Sequence, residues 1–326
     1  MKRPSPADRF AGALLGTFAG DALGRPVEGM TMEAISSKHG RLREMTGPPG
    51  KMGRYSDDTQ LMICVAESLC EKGRFDGPDL AARFAKDVDP ARGYGRGTLQ
   101  IVKALKGGAR WDVPATEVFG EEGSWGNGAA MRVAPVGLFF NKDMAKIKGG
   151  AEAQARTTHT HPVAIDAAIV QAAAVALAYN SAGASFVPED FLDELISLAS
   201  TKELKKKLAR MKVLVKEDID DPVIVKELGN GIRADASVPT AIYCFLGHPD
   251  NLEEAIVHAV NLGGDTDTIA AMAGAAAGAR NGGGAIPGRW ISNMENDDPK
   301  GNNGKGKSYV INLAFKLHKM SSTVGG

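Results

Sequence analysis

Apolar positions along this chain recur at helical spacing, and nowhere do apolar and polar residues alternate long enough to build a strand. Residues 8–24 repeat small and apolar side chains and end in Gly20-Asp21-Ala22-Leu23-Gly24, which predicts a Gly/Ala-rich helix lying deep among others. Residues 60–70 carry Leu61, Met62, Val65, Ala66 and Leu69 on one face and predict another helix. Two short helices are expected within 79–106, one ending near Arg156, and a long apolar one over 163–178. Two more are expected over 238–246, with Pro239 near the first turn, and over 250–262. Residues 201–210 read as a basic amphipathic helix with a solvated face and no assigned function. No repeat or linker divides the chain. The expectation is an all-α, single compact domain over 1–326, with a core over about 8–295. A flexible Gly/Asn/Lys-rich loop is expected over about 296–307 and a last helix over about 308–319.

Composition narrows the function classes. With 326 residues and 43% hydrophobic content, the chain can bury a substantial core. Lys+Arg and Asp+Glu both number 39, so the net charge is zero and no nucleic-acid footprint is expected. Cys64, Cys70 and Cys244 lie on apolar segments without C-x-x-C spacing and read as buried thiols in a reducing compartment. The apolar run from Phe10 to Gly16 is too short for a membrane span, and no clean small-residue cleavage site follows it. These features lead us to expect a cytoplasmic protein, without membrane contact and monomeric.

Chemistry concentrates at two helix starts. Gly263-Gly264-Asp265-Thr266-Asp267-Thr268 is a glycine turn carrying two carboxylates and two hydroxyls ahead of a small, apolar helix. On a helix Asp265 and Asp267 would point about 200° apart, so both are expected on the turn before the first helical residue. Hard oxygen donors suit Mg²⁺, Mn²⁺ or Ca²⁺, although Asp and Thr also serve simply as helix caps. An EF-hand is excluded, because the twelfth position counted from Asp265 is Ala276. Tyr55-Ser56-Asp57-Asp58-Thr59 follows the Gly/Pro-rich loop 47–50 and repeats the pattern; adjacent Asp57 and Asp58 repel unless a cation or proton separates them. Glu28 is a loop carboxylate just after the first helix.

Three further motifs stand out. Gly123-Ser124-Trp125-Gly126-Asn127-Gly128-Ala129-Ala130-Met131-Arg132 is a Gly-rich loop entering a helix, suited to phosphate, without the Lys-Ser/Thr ending of a triphosphate loop. Its alternative is a tight turn with Asn127 as a helix cap, and Pro135 should bend or end that helix early. The glycine-rich turn 89–98, which contains Arg92-Gly93-Tyr94-Gly95, reads equally as a connector or as a ligand approach. His159 and His161 are loop histidines expected to hydrogen-bond a neighbour or a ligand rather than a metal.

Taken together, these motifs resemble the ADP-ribosylglycohydrolases, the family of the dinitrogenase-reductase-activating glycohydrolase and the ADP-ribosyl-acceptor hydrolases. The matching stretches are Gly20–Gly24 with Glu28, Ser56–Thr59, Arg92–Gly95, Ser124–Arg132, Thr158-His159, Gly229-Asn230-Gly231-Ile232, 237–244 and Gly263–Thr268, in family order over about 10–290. The Gly-Asn-Gly-Ile and Ser-Val-Pro-Thr-Ala-Ile-Tyr-Cys stretches look most like the type-three branch, which acts on ADP-ribosyl-serine.

The resemblance implies an all-helical fold with a binuclear metal cleft holding two Mg²⁺, or Mn²⁺. It implies metal ligands Glu28, Ser56, Asp57, Asp58, Asp265, Asp267 and Thr268. Glu28 would also be catalytic, with Asp57 and Asp58 positioning metals and nucleophile. Asp57, Gly123, Ser124, Trp125, Gly126, Asn127 and Gly128 would meet the diphosphate and ribose, and Phe119, Trp125, His159 and Ile232 the ADP portion. Its substrates would be ADP-ribosylated proteins or ADP-ribose conjugates, including poly-ADP-ribose and O-acetyl-ADP-ribose. The alternatives are an N-glycosidic ADP-ribosyl-arginine hydrolase and a non-catalytic ADP-ribose-binding protein. Ser56 stands where type-three members commonly have Thr, and Trp125 replaces a common Tyr, keeping an aromatic face. Residues 184–228 and the tail do not follow the family closely.

Overall fold

The computed structural model describes residues 3–48, 51–217, 219–300 and 303–324. Pro49 and Gly50 of the Gly/Pro-rich loop, and Gly301 and Asn302 of the expected tail loop, lie outside the described residues.

Among the described residues the chain forms eighteen α-helices and no strand. The first half runs α1 (Pro6–Gly24), α2 (Met32–His39), α3 (Asp57–Lys72), α4 (Gly77–Asp87), α5 (Arg96–Lys106), α6 (Pro114–Phe119), α7 (Gly128–Met131), α8 (Ala134–Phe139) and α9 (Met144–Ala155). The second runs α10 (Pro162–Asn180), α11 (Pro188–Leu198), α12 (Lys202–Leu214), α13 (Asp221–Leu228), α14 (Ala234–Gly247), α15 (Leu252–Asn261), α16 (Thr266–Asn281), α17 (Gly288–Asn293) and α18 (Lys307–Val324).

The organising contact is an antiparallel seam between α1 and α16. Gly12, Gly16, Gly20 and Gly24 recur every fourth residue, so they share one face of α1. A Cβ at these positions would collide with the backbone of Gly278, Gly274, Ala270 and Thr266 in turn. The two helix backbones therefore touch without intervening side chains, which only small residues permit. This seam brings the C-terminal end of α1 beside the N-terminal end of α16.

α10 packs against α8, α9 and α16. By length and mean hydropathy (1.7) it resembles a membrane span, but 89% of that stretch is buried inside the protein, so its composition is that of a core helix. α12 buries Leu204, Leu208, Met211 and Leu214 and turns Lys202, Lys205 and Lys206 outward, as its amphipathic pattern predicts.

Three local expectations differ. Pro239 lies inside α14 rather than in its first turn, removing one donor from an otherwise buried helix. Pro135 opens α8, while α7 ends at Met131. The segment before the last helix is anchored: Lys305 Nζ lies 2.7 Å from Glu67 and 2.9 Å from Asp87, and α18 runs to Val324 rather than 319.

Candidate active site

The site is assembled at the end of the α1–α16 seam. Asp21, buried on α1, accepts from the Ser56 backbone N–H (2.8 Å), the Thr59 N–H (3.1 Å) and the Thr59 hydroxyl (2.5 Å). It satisfies free N–H groups at the start of α3, whose N-cap is Ser56. α1 thereby fixes where α3 begins. Asp57 and Asp58 occupy the first turn of α3, and Ser56 Oγ donates to Asp58 Oδ2 at 2.8 Å.

The second wall is the 263–268 turn. Gly263 and Gly264 have φ of +69° and +76°, and a Cβ at Gly264 would strike Asn230. Gly264 accepts from the Gly29 N–H and donates to the Met30 carbonyl, both at 2.8 Å, which fixes the segment carrying Glu28 against the turn. Asp265 is the N-cap of α16, whereas Asp267 lies within its first turn. The expectation that both precede the helix is corrected: Asp267 accepts from the Thr268 N–H (2.9 Å), one of the donors free at a helix start.

Two groups of carboxylate oxygens result, each within 4.8 Å of one another: Asp21, Asp58 and Asp267, and Glu28, Asp265 and Asp267. Asp267 joins them. Thr268 Oγ1 approaches Asp58 Oδ2 at 3.4 Å, and Asp58 Oδ1 is buried without a hydrogen-bond partner. Burial first, then neighbouring carboxylates, pushes Asp58 and Asp267 well above the ordinary range and Asp57 up to about 7. Glu28, exposed at the rim, is raised by desolvation and by Asp265. Such crowded, desolvated carboxylates with an orphaned oxygen form an all-oxygen donor set that fits a hard divalent cation.

The Gly-rich loop forms the third wall. The Asn127 backbone N–H donates to the Ile232 carbonyl (3.0 Å), that of Ala234 donates to the Trp125 carbonyl (2.9 Å), and Gly126 pairs with Arg233 in a single bridge. Asn127 does not cap α7 with its side chain; its amide donates to Ser237 Oγ (3.0 Å) and to Asp265 Oδ2. Asn127 thus keeps the N-cap position of α7 but makes no side-chain cap; its amide N–H groups are turned to Ser237 and Asp265 instead. Trp125 lies against His161 (ring centroids 3.8 Å apart) and the Arg233 guanidinium (4.1 Å). His159 is buried beneath the loop: a Cβ at Gly128 would come within 2.9 Å of its ring. Ile232 (69% exposed) and Phe119 (36%) are large apolar residues left open to solvent.

The ADP-ribosylglycohydrolase family profile matches residues 2–323. The chain belongs to the ADP-ribosylglycohydrolase family. It is 39% identical to the zebrafish (Danio rerio) ADP-ribosylhydrolase ARH3, over 89% of this chain and 87% of that protein. It is 36% identical to the human ADP-ribosylhydrolase ARH3 over 88% and 89%. It is 31% identical to the ADP-ribosyl-[dinitrogen reductase] glycohydrolase of Rhodospirillum rubrum over 90% and 93%. A solved structure titled "ADP-ribosylglycohydrolase-related protein complex" superposes with a TM-score of 0.74 at 31% identity, covering 97% of this chain and 99% of that one.

Within this glycohydrolase fold, Glu28, Asp58, Asp265 and Asp267 converge, and Ser56 and Thr268 join them through Asp58. Asp57 belongs to neither carboxylate group; one of its oxygens faces Gly93 instead, 3.8 Å from where a Cβ there would stand. Asp21 was absent from the expected site residues although it sits in the Gly20–Gly24 motif. Its signal was an acidic residue inside an otherwise small, apolar helix, a placement that needs a partner. The Arg92–Gly95 motif is structural on one side: buried Arg92 donates to Tyr55 O (2.8 Å) and to both Glu295 oxygens.

Burial and the nearby Arg132 charge hold the His159 imidazole down to about 3, so it is neutral at working pH. The unfolded chain takes up that proton near pH 6.5. The His159 contribution is therefore complete above pH 6.5 and is lost as pH falls towards 3. The stability gap between wild type and His159→Asn should shrink on acidification by at most about 1.4 kcal/mol per pH unit. Urea melts between pH 7 and 4 check this; a constant gap would contradict a neutral buried imidazole.

Proposed function

We propose that the protein hydrolyses the O-glycosidic bond between ADP-ribose and a serine hydroxyl, using two Mg²⁺, or Mn²⁺, as cofactors. The observation that carries the reading is the pair of carboxylate groups sharing Asp267, set beside a Gly-rich loop tied to Asp265 by Asn127. The identity of 36–39% to the ARH3 proteins, against 31% to the dinitrogen reductase glycohydrolase, supports the type-three reading and with it the serine linkage.

The residues that would hold the cations are Glu28, Ser56, Asp57, Asp58, Asp265, Asp267 and Thr268. When bound, divalent cations supply charge neutralisation and Lewis acidity at the ribose. The chain's own groups do the rest. Gly123, Ser124, Gly126 and Gly128 offer backbone approach to the diphosphate, and Phe119, Trp125, His159 and Ile232 surround the ADP portion. Glu28, at the rim and within 4.8 Å of Asp265 and Asp267, would switch between cation ligand and proton carrier, giving a proton to the serine oxygen as the bond to the anomeric carbon breaks. Asp57 and Asp58 would position the cations and the attacking water, and Glu28 then takes a proton from that water as it adds to the anomeric carbon. Free buried thiols at Cys64, Cys70 and Cys244 fit an intracellular setting.

The test is release of ADP-ribose from a serine-ADP-ribosylated peptide and from an arginine-linked one, with Mg²⁺ and with EDTA. Release from the serine peptide alone, abolished by EDTA, is expected; release from the arginine peptide alone would select the N-glycosidic reading. Asp267→Asn should raise the Mg²⁺ concentration for half-maximal rate by about tenfold or more, since one charge leaves both groups. An unchanged Mg²⁺ requirement would remove Asp267 from the ligands.

A further inference from the structure

Arg132, the last residue of the Gly-rich motif, is a cation that forms no ion pair among the described residues. Its side chain is fully buried, and its hydrogen bonds go to neutral acceptors: Nε to Gln154 Oε1 (2.8 Å) and Nη2 to the Gln154 carbonyl (2.9 Å). Nη1 is buried with no hydrogen-bond partner, and no carboxylate forms an ion pair with Arg132 among the described residues. Phe84 lies under the guanidinium at 5.0 Å. A buried, unpaired charge is costly and is retained where something else uses it.

Its surroundings say what that is. Arg132 follows α7, whose N-cap is Asn127, so one helical turn separates it from the loop 123–128. Its charge acts on Tyr94, Cys64 and Asp57 and on His159, and His159 packs against Gly126 and Gly128. The cation is therefore buried one helical turn along the chain from the loop and tied to α7 through Gln154, whose Nε2 donates to Ala129 O (2.9 Å). Burial pushes its pKa down to about 9, which leaves it charged at neutral pH. A diphosphate bound on that loop would carry two negative charges beside an acidic wall, and a fixed positive charge in a low-dielectric interior acts across several ångströms.

We propose that Arg132 is a positioning residue that makes the Gly-rich loop selective for an anionic diphosphate, acting through its charge from its buried position without touching the ligand. The proposal rests on the ADP-ribose reading above and names how that site discriminates by charge. It also assigns Gln154 the task of holding the guanidinium in place, since Gln154 Nε2 is itself tied to Ala129 O (2.9 Å).

The experiment compares dissociation constants of ADP-ribose and of uncharged adenosine in saturating Mg²⁺, by calorimetry and ligand-observed NMR, for the intact chain. Arg132→Gln should weaken ADP-ribose by about tenfold or more and leave adenosine within about twofold. Arg132→Lys, which keeps the charge, should hold the ratio near wild type. Gln154→Met, which keeps the Arg132 charge but removes the side-chain acceptor that holds it in place, should shift the ratio in the same direction by a smaller factor, so a poorly folding Arg132→Gln does not block the test; an unchanged ratio would count against the proposal. Equal weakening of both ligands in Arg132→Gln, or Arg132→Lys behaving like Arg132→Gln, would reduce Arg132 to a structural tie and overturn the proposal. Wild-type protein that binds adenosine and ADP-ribose alike would overturn it too. Wild-type protein that binds neither would instead bring down the ADP-ribose reading itself, and this inference with it.

Discussion

Glu28→Gln should bind ADP-ribose within about threefold of wild type while turnover on the serine-linked peptide falls by about 10²–10⁴-fold. Glutamine keeps the size of the side chain and most of its hydrogen bonding but cannot donate and regain a proton. The position favours this separation of binding from chemistry. Glu28 is exposed at the rim, held by the Gly29–Gly264 backbone pair rather than by its own side chain, and faces Asp265 and Asp267 across less than 4.8 Å. Because desolvation first and the Asp265 charge second disfavour its ionised form, removing that charge should not unfold the protein. Single-turnover rates beside calorimetric binding decide the matter. Full turnover would end the role of Glu28 as proton carrier, and loss of binding with intact chemistry would recast it as a substrate contact.

Gly16→Ala should destabilise the protein by about 3 kcal/mol or more, a large effect for one methyl group. The new Cβ would fall onto the carbonyl of Gly274, a backbone atom of a buried helix that has no rotamer with which to yield. The α1–α16 seam must open, and with it the spacing of Asp21 from Asp267. Metal affinity should therefore fall with stability, linking a packing defect to the site at the far end of the seam. Gly149 is the control: it lies inside α9 with open space where a methyl group would stand, so Gly149→Ala should stabilise by about 0.5–1 kcal/mol through lower chain entropy. Denaturant melts of the two variants give the contrast; equal, small effects would show that the seam is not the tight contact described.

The chain's own pattern was sufficient for the class of fold. Helical periodicity without alternation pointed to an all-α protein, and the long apolar run over 163–178 proved to be the core helix α10. It also marked the chemistry, because hydroxyl and carboxylate clusters at two helix starts and a Gly-rich loop are local signals with local physical causes. Basic residues on α12 read correctly as a solvated face for the same reason.

What remained hidden depends on residues far apart in the chain. Asp21 looked like one acid in a helix until the fold brought Ser56 and Thr59 to it, 35 and 38 residues later. Asn127 read only as a helix cap, whereas the fold sets its amide N–H against Asp265, 138 residues on. The neighbours Asp57 and Asp58 have different surroundings because consecutive helical residues point about 100° apart, so one joins the carboxylates and the other faces Gly93. Which groups exist, and which way each helix presents them, was determined by sequence alone, because both follow from periodicity and backbone chemistry. Which of them meet is decided by how closely α1 and α16 can approach, and that is a property of the folded glycine seam.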